Sequence, residues 1–461
     1  MQNSHFILHI FIMAKNMTFG NPNKILITFA LPMVMGNIFQ QLYNISDSII
    51  IGNFLGSNSL AAVGVSYPIT FLFISIASGL SIGSSVVISQ MFGSKNYIEM
   101  KNSIYTSLIS LIFLSILLTI CGVFSSHVLL RLLKTPYNIF SDANLYLKVY
   151  FLGLLPMFLY NGTTSVFNAL GDSKTPLYLL IFSSVLNIAL DLLFVTIIQL
   201  GILGIAFATF TAQLVSAILS IIFLKKKIKI GFNQEINNKI SLHIDINILK
   251  KINKIAIPTM LQQSTVSLGL ILVQALVNSY GADIVSGYTA ATKIDSLAVM
   301  PIINLSNAVS TFTAQNAGAK LIDRIKEGYK AALKLTLIFS ISITIILFVY
   351  GKNLIDMFVD SSANFLVIAT GIEYLRTVSL GYTLKGISST ANGILKGCGD
   401  MKFFLLSTLS NFGIRVFAAY SLSSLIGQKA IWYSIPIGWS IELLISNYRY
   451  FSGKWNQKIK L

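Results

Sequence analysis

Stretches of about twenty or more predominantly apolar residues recur along the whole chain, near 25–54, 60–90, 103–124, 143–168, 176–199, 202–224, 254–279, 285–316, 331–350, 364–394, 403–425 and 430–450. A helix rising about 1.5 Å per residue needs about 20 residues to cross roughly 30 Å of hydrocarbon, so the pattern predicts twelve membrane-spanning helices. The runs are continuous, not alternating, which excludes a β-barrel, and a helix satisfies its own backbone hydrogen bonds where water is absent. Only 11% of the residues are charged against 54% hydrophobic, whereas soluble domains carry about a quarter charged. The expected fold class is therefore all-α and integral to the membrane.

The net charge of +17 would suit a nucleic-acid binder, but its distribution argues otherwise. Of 33 Lys and Arg, 23 fall at the two termini, with Arg449 counted beside the C-terminal tail, and in alternate loops: Lys95 and Lys101, Lys174, the stretch from Lys225 to Lys254, Lys320 to Lys330, Lys396 and Lys402. The opposite loops hold four, Arg131, Lys134, Lys352 and Lys429. The positive-inside rule then places both termini in the cytoplasm, in a multi-pass protein of the plasma membrane, and the basic loops face anionic lipid headgroups, not DNA.

Residues 1–16 carry a short apolar run, Phe6 to Met13, too brief to span and lacking a small-residue cleavage site, so no signal peptide is read; a start at Met1, Met13 or Met17 fits equally. Cys121 and Cys398 are too few for a metal cluster or disulfide framework and are expected as free thiols. None of the histidines at 5, 9, 127 and 243 falls mid-membrane, which leaves a histidine proton relay unsupported. No Gly-rich nucleotide loop ending in Gly-Lys-Ser/Thr is present and no loop is large enough for an ATPase domain. With no nucleophile–base pair or metal-ligand cluster, an enzyme is not expected, and no cofactor is implied.

The chain repeats itself. Gln90-Met-Phe-Gly93-Ser-Lys95 returns as Gln315-Asn-Ala-Gly318-Ala-Lys320, and Leu55-Gly56 as Tyr280-Gly281, both 225 residues on. Pro32 and Pro258 open the first and seventh spans, and Leu170-Gly171-Asp172 pairs with Cys398-Gly399-Asp400. A six-helix duplication keeps the orientation of both halves, so a pseudo-two-fold along the membrane normal should relate them, with transport sites near their interface. The predicted organisation is a cytoplasmic segment 1–24, an N-lobe 25–224, a cytoplasmic inter-lobe loop 225–253, a C-lobe 254–450 and a cytoplasmic tail 451–461.

Two acids stand inside spans of the first half, Asp47 and Asp191. An intramembrane carboxylate costs about 2.5–3.5 kcal/mol on insertion scales and usually serves ion or substrate pathways. On the first span Asn37, Gln40, Asn44 and Asp47 recur every three or four residues, a polar stripe that must face inward. Asn187 and Asp191 form an i, i+4 pair on the fifth span, and Thr209 or Thr211 on the sixth reaches a similar level. Carboxylate, amide and hydroxyl oxygens suit Na⁺. Two neighbouring carboxyls equally suit a proton, since double ionisation is disfavoured. Either way the constellation points to a coupling-ion site and a gradient-driven transporter.

The run Phe29-Ala-Leu-Pro32, Gln40-Gln41-Leu-Tyr43-Asn44, Asp47, Gly52 and Leu55-Gly56 resembles the first helix of the multidrug and toxic compound extrusion (MATE) family. Gly162 to Pro176, Asn187 to Asp191, Ala291-Thr-Lys293-Ile-Asp295 with Met300-Pro301, and Gln315-Asn-Ala-Gly318 are similar to it too. The resemblance implies two six-helix lobes around a central cavity, and antiport of organic cations or other amphipathic compounds, as a monomer, against inward H⁺ or Na⁺. The family branch coupled through its N-lobe (DinF-like) matches at Asp47, Asn187, Asp191 and Thr209. It implies Pro32 as a hinge. Most aromatics pack or form interfacial belts, and Tyr43, Tyr67 and Tyr160 are candidates for stacking on a flat cationic substrate. Asp295 is read first as interhelical glue and second as a substrate contact. Lys385 is a fixed counter-charge in a cavity, a partner of Glu373, or a snorkelling cation. The C-lobe lacks the acids, with Leu272 and Val273 on helix 7 and Arg415 in the place of Asp191. The rival reading is a flippase for a lipid-linked precursor, for which Lys385, Arg376 and Arg415 would supply a cationic cavity.

Overall fold

The computed structural model describes residues 15–232, 244–358 and 365–459; Phe6 to Met13, His5, His9 and His243 lie outside them. Every regular element among the described residues is helical. We number the long helices α1 (Pro22–Ile50), α2 (Ser57–Gly93), α3 (Tyr97–Leu132), α4 (Tyr137–Leu152), α5 (Leu154–Ala169), α6 (Lys174–Leu192), α7 (Ile202–Phe232), α8 (Ile246–Asn278), α9 (Ala282–Gly318), α10 (Ile322–Asp356), α11 (Phe365–Leu380), α12 (Tyr382–Gly397), α13 (Met401–Ile426) and α14 (Lys429–Phe451). Nine are long and apolar enough to cross a membrane, and ten spans result when α4 and α5, bent by 49°, are read together. The remaining two of the twelve are the α11–α12 pair, diluted by Glu373, Arg376, Lys385 and Lys396, and α14, diluted by Pro436, Glu442 and two tryptophans.

Two expected single helices are thus broken at matching points. Gly153 ends α4 and Gly381 ends α11, 228 residues apart and with nearly the same backbone angles, φ −76° and −81°. A Cβ on Gly381 would collide with the Trp439 ring and Pro436, so only glycine lets that chain pass there. Pro156 adds to the first break because its nitrogen offers no helical hydrogen bond. The expected inter-lobe loop is also shorter than read: helix continues to Phe232 and resumes at Ile246. Lysine is a good helix former, so the basic flanks extend the helices beyond the apolar core.

The chain divides into two compact units, residues 1–16 with 35–260, and 17–34 with 261–461. Two of the three divisions fall inside helices. Val34/Met35 in α1 and Met260/Leu261 in α8 each lie two residues beyond an intrahelical proline, Pro32 and Pro258.

Within each unit the duplicated motifs adopt one geometry. Gly56 and Gly281 both take the left-handed region, φ +86° and +91°, before α2 and α9. Lys95 and Lys320 both hold φ +59°, uncommon for a residue with a Cβ and costing about 1–2 kcal/mol. Asn96 N–H bonds Met91 carbonyl as Leu321 N–H bonds Asn316 carbonyl. Asp172, capping Thr175 N–H at 3.0 Å, also holds Lys227 at the end of α7; Asp400 holds Arg449 at the end of α14. Each unit therefore closes one end with a buried acid–base clamp between equivalent helices. In the second unit Met17, fully buried, fixes its backbone on Gln315 Oε1 (2.8 Å), the side chain of Asn316 and Arg324. After α14, Trp455 is buried, stacked on Tyr450 at 5.9 Å and donating from Nε1 to the Tyr450 carbonyl.

Candidate functional site

The first unit assembles Asp47, Asn187, Asp191 and Thr209 in one place. Asp191 is fully buried and Asn187 nearly so. With its amide oriented to satisfy its neighbours, Asn187 Nδ2 donates to Asp191 Oδ2 at 2.7 Å and its Oδ1 accepts from Thr209 N–H at 3.1 Å. This ties α6 to α7 through the Asn187 amide. Asp47, from α1, faces Asp191 within hydrogen-bonding reach. Each carboxyl leaves one buried oxygen, Asp47 Oδ1 and Asp191 Oδ1, that no amide, hydroxyl or backbone donor reaches. A hydrogen bond between two carboxyls requires a proton on one of them, because ionised carboxylates only accept.

The backbone is unusual beside both acids. Four residues after Asp47 the chain enters a π-helical turn, Ile51–Leu55, and two residues after Asp191 another, Leu193–Ile197. The two π segments touch each other. Such turns are rare and gather at functional sites, because they widen the helix and loosen carbonyls from the regular ladder. Nothing in residue type announces them. Tyr43 reaches Thr209, and Tyr146, which sequence reasoning did not single out, lies close enough to both acids to feel their charge. A cavity of about 10 Å³, lined by Tyr146, Tyr150, Thr209, Phe210 and Gln213, adjoins them; that is about the space one water needs.

The rest of the α1 stripe does not join this cluster. Asn44 is exposed and bonds Gln41 on its own helix at 3.1 Å, Asn37 is exposed, and Gln40 is half-buried.

The second unit is built differently. Asn411 and Arg415 stand 224 residues after Asn187 and Asp191, so a guanidinium replaces the central acid. Arg415 interacts with Asp295 and Tyr288, and Asp295 accepts from Tyr382 Oη at 2.7 Å and Tyr374 Oη at 3.3 Å. Asp295 thus joins α9, α11 and α12, the structural reading of that residue. Lys385 is not a free cavity cation and does not pair with Glu373, which binds Lys429 at 2.9 Å. Its partner is Glu442, fully buried, at 3.1 and 3.3 Å. Asn392 Nδ2 (2.8 Å) and Asn411 Nδ2 (2.7 Å) complete the donors on that carboxylate. The repeat of Asn187 at Asn411 was the sequence signal for part of this network; Asn392 had none. With Lys385 answered by Glu442, the cationic cavity expected of a lipid-linked-precursor flippase is missing one of its three candidates.

A helical bundle of broken and continuous spans built as a tandem repeat, with Asp47 facing a buried Asp191 in one half, defines a class of membrane transporters. The family model MatE matches residues 32–193 and again 258–421, and the chain belongs to this multidrug and toxic compound extrusion (MATE) family of transporters, which are not enzymes. The chain is 32% identical over 443 residues to the protein called "Probable multidrug resistance protein YpnP" of Bacillus subtilis, covering 96% of this chain and 98% of that one. It is 22% identical to "Probable multidrug resistance protein NorM" of Thermotoga maritima, covering 95% and 94%. Among solved structures, a MOP superfamily transporter from Pyrococcus furiosus, described as having a binding pocket of reversed polarity, superposes with a TM-score of 0.87 at 22% identity over 97% of this chain and 99% of that one. A MATE protein in the bent conformation gives 0.85 at 23%, covering 96% and 98%. These likenesses establish the fold. The chain is accordingly a multi-pass membrane transporter of small molecules, of the drug-efflux type.

Proposed function

We propose that this transporter is an antiporter that exports organic cations or other amphipathic compounds by alternating access, driven by an inward ion gradient loaded at Asp47 and Asp191. The observation that carries the reading is the facing of half-buried Asp47 and fully buried Asp191, 144 residues apart in sequence, beside paired π turns. The geometry favours H⁺ over Na⁺ as the ion. Carboxyls within hydrogen-bonding reach of each other share a proton, whereas a Na⁺ ion would enter with both ionised and needs several oxygen ligands arranged around it. One charge moved fully across the field supplies about 2.3 kcal/mol per 100 mV, and only a group that binds and releases the ion harvests it. Pro32 and Pro258, at the points where α1 and α8 pass between units, are the bending points the cycle would use. The basic loops support cytoplasmic termini, and thus outward export.

The test is counterflow in proteoliposomes with imposed ΔpH or ΔNa⁺, using ethidium as substrate. Ethidium extrusion that follows ΔpH and disappears in Asp47→Asn and Asp191→Asn supports the reading. Extrusion that follows ΔNa⁺ alone replaces the ion, and transport unimpaired in both variants removes the site.

A further inference from the structure

The second unit contains a carboxylate surrounded as an ion site is surrounded, except that its cation is part of the protein. Glu442 lies within α14, 1% exposed. Its Oε1 takes Lys385 Nζ at 3.3 Å and Asn392 Nδ2 at 2.8 Å; its Oε2 takes Lys385 Nζ at 3.1 Å and Asn411 Nδ2 at 2.7 Å. Ser407 Oγ holds the Asn392 carbonyl oxygen at 2.9 Å. Three side chains from α12 and α13 thus converge on one carboxylate of α14. The Asn411 amide turns its NH2 to the carboxylate, while its oxygen, which accepts from no donor, lies toward Gly438. The ammonium sits between both carboxylate oxygens, where a small monovalent ion would bind.

We propose that Lys385 is a tethered cation: its ammonium permanently occupies the cation position on the buried Glu442 carboxylate, and so keeps the second unit from binding an exchangeable ion. A carboxylate taken out of water without a counter-charge costs several kcal/mol, so this one demands a cation, and the lysine, held 57 residues away in sequence on α12, supplies one that never dissociates. Coupling is thereby confined to the other unit. Removing the amine while keeping the acid should convert the site into one that takes Na⁺, whose preference is for carboxylate and amide oxygens.

The experiment is thermal unfolding of the purified full-length protein in detergent, in NaCl or choline chloride of equal ionic strength. Lys385→Ala should gain a saturable rise in melting temperature of about 2–4 °C with Na⁺ beyond any the wild type shows. That gain should vanish when Glu442→Gln is added, and Lys385→Arg should behave as wild type. Should Lys385→Ala be unstable in choline, purification in NaCl should recover monodisperse protein. A Na⁺ response equal to that of wild type, a response that survives Glu442→Gln, or loss of the protein in both salts overturns the proposal.

Discussion

Asp191 accepts a 2.7 Å hydrogen bond from Asn187 one turn earlier on the same helix, while its other oxygen is left without a donor and its carboxyl faces Asp47. The amide orients one oxygen and leaves the other for a proton. Asn187→Ala should therefore lower transport less than either acid variant does. We expect Asp47→Asn and Asp191→Asn each to reduce gradient-driven export at least ~10-fold in everted vesicles while the protein remains monodisperse. Arg415→Gln and Gln263→Ala should keep ion dependence, since a guanidinium has no acceptor for a cation. Equal loss in Gln263→Ala would relocate coupling to the other unit.

The clamp between Asp172 and Lys227 is buried on both sides. Asp172→Ala leaves an uncompensated ammonium and removes the cap of Thr175, so it should cost about 3–5 kcal/mol. The double variant Asp172→Ala/Lys227→Met should recover part of that loss, because neither charge is then stranded. Thermal unfolding of the four proteins measures the coupling, and additive losses would show that the pair does not act as a unit.

Gly381→Ala places a methyl against Trp439 and should destabilise by about 1–3 kcal/mol. Gly413→Ala, with nothing within 4 Å of the new carbon, should be neutral or slightly stabilising, as expected for a helical glycine. Melting temperatures of the two variants, compared with wild type, separate a break needed for close packing from an incidental glycine.

Pro32→Ala restores the helical hydrogen bond in α1 that proline denies. The variant should fold with unchanged or higher stability yet export more slowly, with substrate affinity preserved. Binding of ethidium by fluorescence anisotropy, set beside initial export rates, distinguishes impaired movement from impaired recognition; loss of both together would make Pro32 a packing residue.

Orientation is checked by single cysteines in a background lacking Cys121 and Cys398. Labels at Lys229 or Lys250 should react with impermeant maleimide only from the cytoplasmic side, and a label at Lys352 only from outside. The reverse pattern would invert the direction of transport.

Sequence alone settled the all-α class, because the bilayer turns span length and apolarity into local signals that need no tertiary contact. It also revealed the duplication, since Gln90–Lys95 and Gln315–Lys320 repeat at constant spacing, and it put Asn187 and Asp191 on one helical face by a four-residue step. It did not place the breaks at Gly153 and Gly381 or the π turns after Asp47 and Asp191. Those depend on what packs beside the backbone, as Trp439 does against Gly381. Nor did it foresee that the unit boundaries cross α1 and α8 within helices, where composition does not change. Charge partners were the hardest to read. Lys385 had three readings by sequence and a fourth outcome, Glu442, in the fold, because which carboxylate a lysine meets is fixed by how α12 and α14 are rotated against each other. That rotation is a sum over many weak apolar contacts with no local signature, so only the tertiary structure decided it.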